Sequence, residues 1–412
     1  MTLPSTLLSC LESIGPLCLV AIAPAFCWAL AWFSLPNEQS WQILFSLFVG
    51  GTLLYLVPAT MHSGPMTKGG RVPTYPDNGM VHIVTFTLML FVGDGYGWWS
   101  ATIFARGMEG AVLPLNIFAI VLCVVLLFTG RVWGRPPDDG TMNKGVIHDF
   151  YAGTWLHPRI AGIDLKLLIN SRISMTLWFI HCLSSIVVTA RELTIDWGLV
   201  GCAASQMLYL SSFFAQESHY VHTIDIIEDR AGFYETWGCL VWVPSVYTFH
   251  TRIALIYGSG LGMEAAILIF GMGVAAWVCN VWANEQRRRF RRSPDKPVCC
   301  SSTRPKHINA TYQIYDAETG EMVTRTNQLL VEGWWGTMRH PQYIFDIVQS
   351  FTWGILGGGL TTSVLAMLYP IYITILLLHR CIRDERRCLE KYGDAYTEYC
   401  KLVPYRVLPG VW

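Results

Sequence analysis

Charge is what this 412-residue sequence has least of: Asp, Glu, Lys and Arg make up 14% of it, against about 25% in an ordinary soluble domain. So few charges cannot clothe a water-facing surface of this size, which excludes a typical soluble globular protein. Neither sign is in excess, since 29 Lys and Arg cancel 29 Asp and Glu, so no nucleic-acid partner is expected from bulk charge. No G-x-G-x-x-G follows a strand pattern, and G-x-x-x-x-G-K-[ST] is missing, so any nucleotide is held without a Rossmann or P-loop fold. The lack of G-x-S-x-G and H-E-x-x-H removes the common hydrolase and zincin signatures. The 13 cysteines form no C-x-x-C knuckles, and most lie in apolar runs (Cys18, Cys27, Cys123, Cys182, Cys202, Cys279) as small hydrophobes. Cys299 and Cys300 adjoin in a basic loop that suits the reducing cytosolic side. Neither a disulfide framework nor a metal site is expected.

What is present is apolar and aromatic: 52% hydrophobic residues, with 17 Trp, 18 Tyr and 19 Phe. Aromatics in that number suit belts at two water–lipid interfaces. The fold class read from this is an all-α polytopic membrane protein. A bilayer core of about 30 Å needs about 20 apolar residues per helix. The runs at 15–35, 41–60, 80–98, 111–130, 173–190, 195–216, 232–257 and 260–283 meet or approach that length. Residues 344–378 divide at Gly357–Gly359 into 344–356 and 362–378. The expectation is therefore about ten transmembrane helices. On that count only Arg106 and Arg191 fall in loops on one side and Arg252 in a span, while every other Lys and Arg shares the opposite face. That face is the cytosolic one and carries both termini. The run at 15–35 has no basic segment before it and is read as a span, not a signal peptide. Residues 1–60 read as an N-terminal transmembrane pair and 61–412 as the main domain.

Polar side chains inside apolar runs are costly and mark candidate sites. VWVPSVYTFHTR holds Tyr247, His250 and Arg252, which serve either a reaction or an interhelical contact. The segment ESHYVHTIDIIEDRA (217–231) gathers acids with His219 and His222, as a solvated loop or, less simply, a metal site. NEQRRRFRR (284–292) either anchors a helix end to lipid headgroups or clasps phosphates. Arg287 and Arg291, four apart, share a helical face. In the terminal arm Arg380, Asp384 and Arg387 recur at helical spacing, followed by Tyr392, Tyr396, Tyr399 and Tyr405. Charge and rings in one arm suit a purine nucleotide or an amphipathic helix at the membrane.

Several of these segments together resemble the sterol reductase family, whose members saturate C14, C24 or C7 double bonds. The resemblance runs through LLVEGWWGTMRHPQY (329–343), HRCIRDERRCLEKYG (379–393), YCKLVPYRVLPGVW (399–412), HDFYAGTWLHPR (148–159), DLKLLINSR (164–172) and 223–248. SGPMTKGGRVPTYPDNG (63–79) and the insert 290–312 are similar to the branch acting on the C7–C8 bond. Trp155 and His157 stand where the family pattern has an acid and Asn, and Gln342 where it has Asn.

The resemblance implies NADPH as cofactor, held at the cytosolic face by the C-terminal half, within about 284–412. The family's cofactor positions fall on Arg287, Arg291, Leu330, Trp335, Gln342, Tyr343, Asp384, Cys388, Leu389, Glu390, Lys391, Tyr392 and Tyr399, with Arg380 beside Asp384. It implies a sterol drawn from the bilayer, membrane lipids as surroundings, and the endoplasmic reticulum as the membrane in a eukaryote. An isolated alkene accepts hydride poorly, so an enzyme acid must first protonate it; Tyr247 is the first candidate acid and Asp384 the second. Two readings of another class share part of the pattern: an isoprenylcysteine-type membrane methyltransferase using S-adenosylmethionine, and a non-catalytic sterol-binding protein.

Overall fold

The protein is described from a computed structural model covering residues 5–67, 71–133, 145–191, 194–298, 304–316, 321–359 and 363–411. Cys299, Cys300 and positions 68–70 of the 63–79 segment lie outside the described residues. The ten cysteines whose side chains are described are all free.

Each expected apolar run contains a helix where described. Six helices are long and apolar enough to cross a membrane: Met108–Val132, Leu165–Arg191, Trp197–Ala215, Phe233–Tyr257, Met263–Arg292 and Val364–Tyr392. Gly15–Leu30 and Gly79–Gly95 are shorter apolar helices. The remaining two runs fall in the helical stretch 38–55 and in Pro341–Gly358. The stretch 38–55 starts on a capping box, in which Asn37 Oδ1 accepts from the Ser40 amide at 2.9 Å and Ser40 Oγ accepts from the Asn37 amide at 3.4 Å. Wide π turns occupy Leu168–Met175 and Phe233–Tyr247, a geometry rare outside functional or strained helices.

The chain divides into two compact units, residues 1–195 with 206–255, and 196–205 with 256–412. In the first, the helical segments Leu165–Arg191 and Phe233–Tyr257 are each 78% buried and form the centre. Their polar residues are packed inward: Trp178 donates to Gln206 Oε1 at 2.7 Å, and Gln206 Nε2 donates to Thr251 at 2.7 Å. In the second unit, Met263–Arg292 is only 17% buried. It shows Ile267, Leu268, Met272, Val278 and Trp282 to the outside, as a helix facing lipid does.

Met263–Arg292 packs along Pro341–Gly358, where Asn280 Nδ2 donates to the Gln342 carbonyl at 3.0 Å and Asp346 Oδ1 at 2.8 Å. Pro341 begins that second helix, a position where its missing amide costs nothing. Gly359 ends it at φ +51°, and a Cβ there would sit 1.6 Å from the Ser259 carbonyl oxygen, so no other residue fits. Beyond the arginine stretch, His307–Asp316 and Glu321–Leu330 pair as a two-stranded antiparallel hairpin.

Candidate functional site

In the second unit the residues of three separate segments meet. The Arg287 guanidinium lies over the Trp335 ring, 4.3 Å from its centroid. Trp335 is itself fixed, its Nε1 donating to the Ala283 carbonyl at 2.7 Å while Tyr399 Oη donates to the Trp335 carbonyl at 3.2 Å. Leu330 is buried against Phe290, Val298 and Trp335. Asp384, Tyr343, Tyr399 and Arg291 all act electrostatically on Arg287. Asp384 in turn feels Arg287, Arg387 and Arg380. Arg291 is exposed and Arg380 half-buried.

Along the terminal helix Leu368–Tyr392, the spacing sets Asp384, Cys388 and Tyr392 on one face. Cys388 and Tyr392 pack on the buried cluster of Tyr396, Tyr399 and Val403. Lys391 lies with its ammonium 4.1 Å over the Tyr312 ring and 5.2 Å from that of Tyr392. Leu389 and Glu390 are exposed. Gly393, at φ +53°, ends this helix and turns the chain into Asp394–Leu402, which carries Tyr399 back to Trp335.

Sequence reasoning missed the clamp behind this group. Glu385 accepts from Arg339 Nε at 2.7 Å and from Arg406 Nε at 2.8 Å. Arg339 Nη1 also donates to the carbonyls of Val403 at 2.8 Å and Pro404 at 3.0 Å. The cluster of acids and bases at 383–387 was visible, but not which partners it would find. His340 stacks on Tyr343 at 5.1 Å with an interplanar angle of 3°, and its Nδ1 stands 4.0 Å from Asp384 Oδ2. Burial first, then the charges of Arg287, Arg339 and Arg406, push His340 down to about 3, so its ring is neutral at neutral pH. His340, Cys381 and Glu385 also bring donor atoms within 4.8 Å of one another. Two guanidiniums already neutralise that carboxylate, which disfavours a cation there.

In the first unit Tyr247 closes the π turn, half-buried, its ring edge-on to Trp178 at 5.3 Å and 82°. His250 is fully buried. The motifs at 148–172 clasp neighbouring segments. Arg159 donates to the Thr74 carbonyl at 2.7 Å and lies over the Tyr75 ring. His157, where the family pattern has Asn, is hydrogen-bonded to Tyr75 Oη at 3.1 Å. Trp155 Nε1 donates to Thr129 at 3.2 Å. Lys166 is fully buried and donates to the carbonyls of Ile226 at 3.0 Å and Asp229 at 2.6 Å. Buried Arg172 grips Glu217 with both terminal nitrogens and reaches Asn78 Oδ1 at 2.5 Å. Glu217 is thus part of an internal ion pair.

The second unit's residues fit a dinucleotide. Guanidinium and ammonium groups lie on aromatic faces within reach of solvent, where phosphates and a planar base are accommodated. Two buried polar atoms beside them, Gln342 Oε1 and His340 Nε2, have no hydrogen-bond partner. A buried acceptor left so is expected to find one in a ligand or water.

Known proteins similar to this chain are sterol reductases. A 7-dehydrocholesterol reductase of Arabidopsis thaliana is 33% identical over 388 residues, covering 92% of this chain and 86% of that protein. A Delta(14)-sterol reductase of Mus musculus is 31% identical over 427 residues, covering 100% and 94%. Another Delta(14)-sterol reductase, of Methylotuvimicrobium alcaliphilum, is 31% identical over 360 residues, covering 85% and 78%. The profile of the ergosterol biosynthesis ERG4/ERG24 family matches residues 20–412, and the chain belongs to that family.

Proposed function

We propose that the protein is an NADPH-dependent reductase of a sterol ring double bond, acting on the C7–C8 bond of 7-dehydrocholesterol-type sterols. The observation that carries this reading is Arg287 stacked on Trp335 and backed by Tyr399, in a member of this family. Residues 61–412 form the catalytic portion, with the cofactor in 284–412. The nicotinamide, when bound, supplies a hydride.

The chain's own residues do the rest. Arg287 and Arg291 hold phosphates, and Arg287 is kept in place by its ring. Trp335, Tyr343, Tyr392 and Tyr399 give the cofactor aromatic walls, and Leu330 a dry one. Gln342 offers its free acceptor. Asp384 fixes Arg380 and the neutral His340 side. Tyr247 donates its phenolic proton to one alkene carbon, leaving a tertiary or allylic cation. A conjugated 5,7-diene makes that cation allylic and easier to form. The sterol, almost wholly apolar, enters from the bilayer. In a eukaryotic cell the protein would reside in the endoplasmic reticulum membrane, with both termini in the cytosol.

A C14 (or C24) double-bond reductase is the second reading, favoured by Delta(14) relatives at 31% identity over most of the chain. Purified protein given NADPH with 7-dehydrocholesterol, a C14-unsaturated sterol and a Δ24 sterol separates these, with products identified by mass spectrometry. Reduction of the C14-unsaturated sterol alone moves the assignment to the second reading. No reduction of any of them overturns both. Tyr247→Phe is expected to lower turnover at least about a hundredfold, the scale of a lost general acid, with cofactor affinity unchanged. Full activity in that variant removes Tyr247 as the proton donor.

A further inference from the structure

The hairpin His307–Asp316 and Glu321–Leu330 has two unlike faces. Its register sets Ile308 opposite Leu329, Ala310 opposite Asn327, and Tyr312 opposite Arg325. Directly opposed residues share a face, as do alternate residues along a strand. Ile308, Tyr312, Arg325, Asn327 and Leu329 therefore stand on one side. That side is docked: Ile308 and Leu329 pack on the Tyr396, Tyr399 and Val403 cluster. Asn327 Nδ2 donates to Tyr392 Oη at 2.9 Å. Tyr312 meets Tyr392 edge-on at 5.6 Å and lies under the Lys391 ammonium. The other side packs on Phe290 at its base, through Leu330 and His307, and is polar beyond it, with Gln328 Nε2 bonded to Asn309 Oδ1 at 3.2 Å.

Cations gather at this docked face. Lys391 is held on the rings, and Arg291 and Arg387 act electrostatically on Tyr392. Arg325 is exposed, beside Tyr312 by register, and no ion pair holds it among the described residues. Rings able to stack a planar base, next to ammonium and guanidinium groups that take phosphate oxygens, are the chemistry of a phosphorylated nucleoside.

We propose that the hairpin, through Tyr312, Arg325 and Asn327, reads the 2′-phosphorylated adenosine end of the cofactor and so sets the preference for NADPH over NADH. This rests on the reading of 284–412 as the cofactor portion. Tyr312 and Asn327 shape the ring platform, and Arg325 supplies the charge that a 2′-phosphate selects.

The test is calorimetric binding of NADPH, NADH and adenosine 2′,5′-bisphosphate to the full-length protein in detergent. Arg325→Ala is expected to weaken NADPH and the bisphosphate roughly tenfold, the scale of one charge-assisted contact, and to leave NADH unchanged. Arg325→Lys restores most of the loss. Tyr312→Ala weakens all three ligands, and Thr324→Ala, on the opposite face, weakens none. Should Tyr312→Ala fail to fold, Arg325→Glu carries the test, because that side chain is exposed. Wild-type protein that binds NADPH, with Arg325→Ala and Arg325→Glu binding it equally well, overturns the hairpin's role alone. Wild-type protein that binds none of the ligands overturns the cofactor reading beneath it.

Discussion

Arg172 and Arg287 are both arginines of apolar helices, yet their surroundings differ. Arg172, in the first unit, is fully buried and grips the Glu217 carboxylate. Arg287, in the second, is half-buried and rests on the Trp335 ring. Lys166 repeats the first pattern, wholly buried on two carbonyls, and Lys391 the second, exposed on Tyr312. A cation enclosed by its own chain organises the fold, whereas one laid on an aromatic face keeps free N–H groups for a ligand. The same residue type is thus a brace in one unit and, on the function proposed above, a binding group in the other.

Substitutions can break or sharpen that contrast. The largest effect is expected from Arg172→Met. It leaves the Glu217 carboxylate buried without its charge partner, a loss of about 3–5 kcal/mol. Chemical unfolding in detergent checks it, and an unfolding midpoint equal to the wild type's would mean that Arg172 is no brace. Next is Arg287→Ala. Removing one charged hydrogen-bonding group loses about 1.5–3 kcal/mol of binding, or roughly ten- to a hundredfold in NADPH affinity. Its cation–π contact is worth only about 0.5–1 kcal/mol to the fold, so thermal unfolding should barely move. A variant that lost stability and kept its affinity would invert the contrast.

The smallest effect is on pH dependence in the first unit. Burial first, then the charges of Lys166, Arg71 and Arg159, push His157 from 6.5 down to about 3. Between those values the unfolded chain binds the proton and the folded one does not. The stability this group contributes is therefore whole above pH 6.5 and falls as the pH drops below it. The slope is up to about 1.4 kcal/mol per pH unit. His157→Gln keeps a polar partner for Tyr75 and removes that slope, as unfolding at pH 7 and pH 5 would show.

Much of the candidate site was legible in the sequence. Arg287, Trp335, Asp384 and Tyr399 stood out as charge and rings in segments of a known pattern, and these segments converge in the second unit. The pairing of Arg339 and Arg406 on Glu385 was not legible, because a cluster of mixed charges offers many equivalent partners and only packing selects among them. The Tyr75–His157 contact was missed for a related reason. His157 reads in sequence as a departure from a motif, and its partner is 82 positions away. Residues 290–312 were read only as an insert similar to one branch of the family, and no hairpin was expected. Its alternation of polar and apolar residues was present, but the surface that would cover one side of it was not.

The sequence by itself determined the solvent and the helices: scarcity of charge and long apolar runs leave a chain no way to satisfy its backbone in lipid except by helix. It also determined, through local spacing, which side chains share a helical face. Tertiary structure alone decided which cations are enclosed and which are presented, and what the hairpin docks against. Hydropathy and helical period are properties of neighbours along the chain. The environment of a charge is fixed by groups far away in sequence, through burial and hydrogen-bond partners that no local pattern encodes.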